Sequence, residues 1–134
     1  MQVTLFGYEF TLDLDYVDAP ASAVREQLRA YEAGERESFD LEIDYPSGFT
    51  GDVMRAMADI PSGETRTYGD LAASLDTAAV AVGQACGRNP VAVVVPCHRV
   101  VAADGGLGGY SASGGTEAKR RLLEHEGALE LGER

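Results

Sequence analysis

The segment VAVVV at 91–95 leaves the chain little choice. Four valines and an alanine in five positions, with no polar residue to face water, have to be buried on both sides. The reading is a short core strand, which Pro96 ends because it has no N–H to donate to a ladder. Cys97 and His98 then stand on a turn held by the core beneath them. A free cysteine is most often a small buried hydrophobe. A thiol next to an imidazole on a rigid turn is also the arrangement of a cysteine nucleophile and its base. From these residues alone both readings stay open. The other cysteine, Cys86, lies in an Ala/Val/Gly helix and reads as packing.

The chain can build such a core. Its 134 residues, 45% of them hydrophobic, suit one compact domain or two small parts sharing a core. No apolar run is long enough to span a bilayer, and MQVTLFGYEF lacks the basic region of a signal peptide. A soluble, cytoplasmic protein is expected, with a monomer as the default. Two cysteines suggest neither a disulfide framework nor a zinc site. No strand–GxGxxG–helix pattern occurs, so no metal or organic cofactor is implied. Acids outnumber bases 22 to 11, and the excess is uneven. Residues 1–45 hold 11 acids and 3 arginines, whereas residues 53–123 hold 6 acids and 7 bases. Only the second part could approach a polyanion without strong repulsion. An acid-rich chain with Lys119 as its single lysine suits a cytoplasm of high salt, where charges are screened within ~3 Å at 1 M.

Alternation in residues 2–16 predicts two short strands joined near Gly7. Pro20 opens a helix with Val24, Leu28 and Tyr31 on one face and Gly34 at its end. SFDLEIDYP alternates again until Pro46-Ser47-Gly48, where a small α/β part, 1–47, gives way to a second part, 48–134. Phe49, Val53, Met57 and Ile60 mark one face of a helix that Pro61 stops. Thr67 caps a short helix, YGDLAASL, and Asp76 or Thr77 caps a second, AAVAVGQACGR. Two short helices so joined suggest a helix-turn-helix. RVVAADG reads as a further strand, GGLGGYSASGG as a loop, and Thr116 as the cap of EAKRRLLEHEG. On that last helix Glu126 follows Leu122 by four residues and is expected to point inward, where a carboxylate needs a partner; His98 is the candidate. Lys119-Arg120-Arg121 reads as a solvated face.

Taken together, IPSGETRTYGDLA, AVGQACGRNP, VVVPCHRVV, GGYS and LLEHEG resemble, in order and spacing, the methylated-DNA–protein-cysteine methyltransferases, or O6-alkylguanine-DNA alkyltransferases. The resemblance covers roughly residues 49–129, and PCHRV carries most of it. It implies an α+β protein: an abbreviated ribonuclease H-like α/β part followed by a winged-helix-like helix-turn-helix part with the reactive cysteine. It further implies direct repair of O6-alkylguanine in double-stranded DNA, the alkyl group passing irreversibly to Cys97, once per molecule. His98 would serve as base through a water, Glu126 would orient it, and Asn89 would tie the second helix to the cysteine turn. Tyr68, Val80, Arg88, Arg99, Val100, Tyr110 and Ser111 would contact substrate or DNA. Val80 stands where the family usually carries an arginine. A non-repairing sensor of alkylated bases is the second expectation, and a small-molecule cysteine enzyme the third; the presence of Cys97 disfavours the sensor.

Overall fold

The computed structural model describes residues 1–103, 106–107 and 115–128. Two strands, β1 (Gln2–Leu5) and β2 (Tyr8–Thr11), form an antiparallel hairpin with Val3 opposite Phe10. Its turn is Phe6-Gly7, both with positive φ (53° and 86°), the twist that tight hairpins need. Helix α1 (Ala21–Glu32) follows Pro20, which occupies the cap position, and buries Val24, Leu28 and Tyr31 as the periodicity predicts. The expected strand over SFDLEIDYP does not form a ladder. Its alternation survives, with Phe39, Leu41 and Ile43 half-buried and Asp40, Glu42 and Asp44 exposed. Pairing is limited to one antiparallel bridge, Val17 to Ile43.

Helix α2 (Phe49–Ala58) buries Gly51, Val53, Met54 and Met57, whereas Phe49 stays 36% exposed. Gly51 is obligatory. A Cβ there would lie 1.8 Å from the Pro46 carbonyl oxygen, so the preceding segment crosses the helix on bare backbone. Strand β3 (Arg66–Thr67) leads directly into α3 (Tyr68–Leu75), where Thr67 and Asp70 exchange backbone bonds in a full capping box. Helix α4 (Ala79–Cys86) packs against α3. Neither expected cap serves it. Asp76 instead closes α3 in the left-handed region (φ 56°), and Ala78 precedes α4 without a side-chain cap.

The predicted core strand at 91–95 is a buried turn. Val91, Val93 and Val95 are buried as expected, but the Val95 N–H bonds the Val91 carbonyl (3.0 Å) and Val93 has φ 75°. Periodicity cannot tell a buried strand from a buried turn when every residue is apolar. A 3-10 turn, Cys97–Arg99, follows, then β4 (Val100–Val101), which pairs in parallel with β3. Helix α5 (Gly115–His125) begins one residue before Thr116, the cap expected from the sequence. The result is a small mixed α/β fold. One continuous cluster of buried side chains runs from Leu5 and Phe10 through α1 and α2 to Val100 and Leu122. No described helix is long and apolar enough to cross a membrane.

Candidate active site

Three elements meet at the cysteine: the 91–95 turn below it, the 3-10 turn that carries it, and α5 across from it. Asn89 holds the first. Its Nδ2 donates to the Val95 carbonyl (2.8 Å) and its Oδ1 accepts from the Val91 N–H (3.1 Å), so one amide clamps both ends of the turn. The Cys97 N–H then donates to the Val95 carbonyl (2.9 Å). Cys97 is 7% exposed and His98 fully buried.

His98 faces Glu126, with Nε2 at 2.8 Å from Oε2. The inward turn of Glu126 expected from its spacing is therefore found, and its side chain is 1% exposed. Burial favours the neutral acid, but hydrogen bonds from His98 and Arg99, together with the guanidinium's charge, reverse this and hold the carboxyl well below its usual range. An ionised carboxylate only accepts, so Nε2 carries the imidazole proton and Nδ1 is the basic nitrogen. Nδ1 is buried with no hydrogen-bond partner among the described residues. Desolvation lowers the His98 pKa, outweighing the carboxylate's pull. His98 is thus a neutral imidazole of defined tautomer, next in the chain to Cys97.

Arg99 is not where the resemblance puts it. Its Nε and one terminal nitrogen grip Glu126 (both 2.8 Å), and the other donates to the Ile60 carbonyl (2.7 Å). A guanidinium so engaged, in a residue 6% exposed, is turned inward and away from any phosphate; three of its five N–H donors hold the buried carboxylate and the Ile60 carbonyl. Val100 is fully buried in β4. Val80 projects from α4 at 70% exposure, and Arg88 is exposed just beyond that helix. Tyr68 is the first residue of α3, its ring about 4.0 Å from where a Cβ on Gly83 would sit, which is how the lean helix α4 lies against it. Burial, then the two cysteines, push its hydroxyl pKa up to about 12. Tyr110 and Ser111 lie outside the described residues.

Two functional candidates escaped the sequence reading. Of the basic run, Arg121 is exposed and Arg120 half-buried, but Lys119, expected on a solvated face, is fully buried. Its Nζ donates to the Leu107 carbonyl and to the Tyr68 hydroxyl, the latter at 3.4 Å. Tyr31, read only as a core aromatic, donates its hydroxyl to Glu126 Oε2 (2.7 Å). A lone cation inside a charged run, and a hydroxyl whose partner lies 95 residues away, leave no local pattern to detect. Cys86 sits with its sulfur 3.5 Å from that of Met57, and burial raises its thiol pKa to about 12, keeping it inert. Among the described residues no cluster of His, Cys, Asp and Glu could hold a metal.

Comparison with known proteins agrees with this geometry. The methylated-DNA–protein-cysteine methyltransferase of Mycobacterium tuberculosis is 49% identical over 108 residues, which are 78% of this chain and 64% of that protein. Its counterpart in Methanosarcina acetivorans is 48% identical over 106 residues, 76% of this chain and 66% of its own. The chain therefore spans a little under two thirds of these relatives. The crystal structure of Mycobacterium tuberculosis OGT in complex with DNA superposes with a TM-score of 0.74 at 48% identity, covering 80% of this chain and 67% of that one. Residues 48–128 match the family described as 6-O-methylguanine DNA methyltransferase, DNA binding domain. By that match and those identities, the chain belongs to the 6-O-methylguanine DNA methyltransferase family.

Proposed function

We propose that this chain reverses O6-alkylguanine damage in double-stranded DNA by moving the alkyl group irreversibly to Cys97. The observation that carries the reading is the tautomer of His98: Nε2 on the Glu126 carboxylate at 2.8 Å leaves Nδ1 as the base beside the cysteine. In the reaction His98 takes the Cys97 proton through a water, and the thiolate attacks the alkyl carbon. The carbon–sulfur bond forms as the carbon–O6 bond breaks. The electron pair returns to the guanine, which takes up a proton to replace the one the thiol lost. No residue here can hydrolyse a thioether, so each molecule acts once.

The remaining roles follow. Asn89 keeps the cysteine turn in shape, and Tyr68, with Tyr110 and Ser111, lines the pocket for the extruded base. The Val100 carbonyl reads that base. Val80 enters the stack as an apolar wedge, and Arg88 approaches a phosphate. Extrusion costs least for a poorly paired, damaged base. The protein works as a cytoplasmic monomer, residues 1–47 forming a reduced ribonuclease H-like part and residues 48–134 a winged-helix-like one.

The test is to incubate the protein at molar salt with a duplex containing one O6-methylguanine and weigh the intact protein. A single gain of ~14 Da, absent in Cys97→Ala, is the expected result. Unmodified protein that still binds the lesion would instead be a sensor, and a protein that the duplex leaves unmodified but that free small molecules alkylate at Cys97, with turnover, would be a different cysteine enzyme.

A further inference from the structure

The carboxylate that orients His98 is not served by the second part of the chain alone. Glu126 Oε2 accepts from His98 Nε2 (2.8 Å), from Arg99 (2.8 Å) and from the Tyr31 hydroxyl (2.7 Å). Arg99 and His98 come from the cysteine turn, but Tyr31 comes from α1. Its ring is 1% exposed, wedged between the rings of Phe39 (5.4 Å between centroids) and His125 (5.0 Å). Its carbonyl is engaged by His125 Nε2 at 2.7 Å. The hydroxyl is therefore aimed by packing against two rings and by the bond that fixes its own carbonyl.

We infer that Tyr31 is a positioning residue of the alkyl-transfer site, whose hydroxyl tunes Glu126 and through it the strength of His98 as a base. A buried tyrosine hydroxyl needs some partner, and a purely structural bond would satisfy that need. The distinguishing feature is the atom chosen. Tyr31 shares one carboxylate oxygen with the catalytic imidazole, so each donor draws charge the other would use. Arg99 neutralises Glu126 permanently, whereas the neutral Tyr31 weakens its pull on an imidazolium without adding charge. Burial and the neighbouring carboxylate both raise the Tyr31 pKa, so the hydroxyl keeps its proton at any working pH. The other charged or titratable groups facing this cluster are His125, Arg121 and Lys119 on α5, with Arg36 and Glu37 lining the small cleft outside it. Residues 1–47 thereby contribute to the chemistry as well as to the scaffold.

The inference deepens the alkyl-transfer reading and rests on it, so its test uses a reaction that needs no DNA. The rate of Cys97 carboxamidomethylation by iodoacetamide is followed against pH in the full chain, with peptide masses separating Cys97 from Cys86. In Tyr31→Phe the freed oxygen stabilises the imidazolium better, so the midpoint of the profile moves down by about half a unit to one unit. Site-specific 3-fluorotyrosine at position 31, a stronger donor of nearly the same shape, moves it up. Opposite shifts from the two variants are the expected result, and a merely structural bond would not produce them. An unmoved midpoint in both, or a shift of the same sign in both, overturns the inference; should Tyr31→Phe not fold, the fluorinated protein decides alone by the direction of its shift. Transfer from an O6-methylguanine duplex is measured alongside. Its absence in the unaltered protein would sink the repair reading while leaving the iodoacetamide comparison intact.

Discussion

Lys119 Nζ stands 3.4 Å from the Tyr68 hydroxyl and 5.6 Å from the centre of its ring, joining α5 to the first residue of α3. Burial lowers its pKa to about 8, against the opposing pull of Cys97 and Cys86. That coupling is reciprocal. If the thiolates favour the ammonium, the ammonium favours the thiolates.

Replacing the ammonium should therefore slow Cys97. Lys119→Met is expected to cut the rate of iodoacetamide labelling at pH 7 by about threefold to tenfold, the equivalent of half a unit to one unit in the thiol. Stability should not suffer in step, since trading a buried charge for an apolar chain of similar size is often neutral or favourable. The sign of the pH effect is also set. The folded value of about 8 lies below the ordinary 10.5, so the unfolded chain binds more protons between them and stability rises across that window. The raised thiol of Cys86 and hydroxyl of Tyr68 cost stability over the same range in both proteins, so the difference is what counts: from pH 8 to 10 the urea midpoint of the unaltered protein should rise relative to that of Lys119→Met.

Asn89→Ala removes both clamps on the cysteine turn, leaving the Val91 N–H without its acceptor and the Val95 carbonyl without one of its donors. A cost of about 2 kcal/mol in urea unfolding is expected. Slower transfer to Cys97 should accompany it, because the turn also sets where the sulfur points.

Acid should destabilise the fold in two stages. Both His98 and Glu126 have folded pKa values below their ordinary 6.5 and 4.5. Each therefore contributes stability that is complete above its ordinary value and is lost as pH falls beneath it. Urea midpoints should begin to drop below pH 6.5 and steepen below 4.5. Glu126→Gln should blunt the second stage, leaving the smaller share of exposed carboxyls such as Asp70, while costing about 3–5 kcal/mol at neutral pH by leaving Arg99 uncompensated.

Helix α4 carries no charged side chain, so little counterion release should accompany its docking on DNA. Val80→Arg adds a cation at an exposed position and should tighten duplex binding. The plot of log K against log salt should steepen by about one. An unchanged slope would place Val80 away from the phosphates and the stack.

The geometry of the site was legible where it was local. Cys97 and His98 are adjacent, and Glu126 follows Leu122 by one helical turn, so motif and period together placed all three. Asn89 closes a turn only a few residues long. Legibility failed where tertiary packing chose between equal local options. The valines of 91–95 satisfy a strand and a turn alike, and only the Asn89 clamps with the left-handed Val93 decide between them. Arg99 belonged by type with residues that grip phosphate, yet Glu126 and the Ile60 carbonyl behind it hold the guanidinium. Lys119 sits in a basic run whose other members stay half-buried or exposed, and nothing in KRR marks the one that turns inward.

The reach from Tyr31 to Glu126 bears on when the site comes into being. The two are 95 positions apart in the chain, and closing so long a loop is among the slower steps available to a small protein. A polypeptide emerging from the ribosome presents Cys97 well before α5 arrives to give His98 its carboxylate. Until then the imidazole has no fixed tautomer and the thiol no base. On the alkyl-transfer reading proposed above, reactivity at Cys97 becomes a signature of completed folding, and a single-use acceptor is kept from being spent on a half-made molecule.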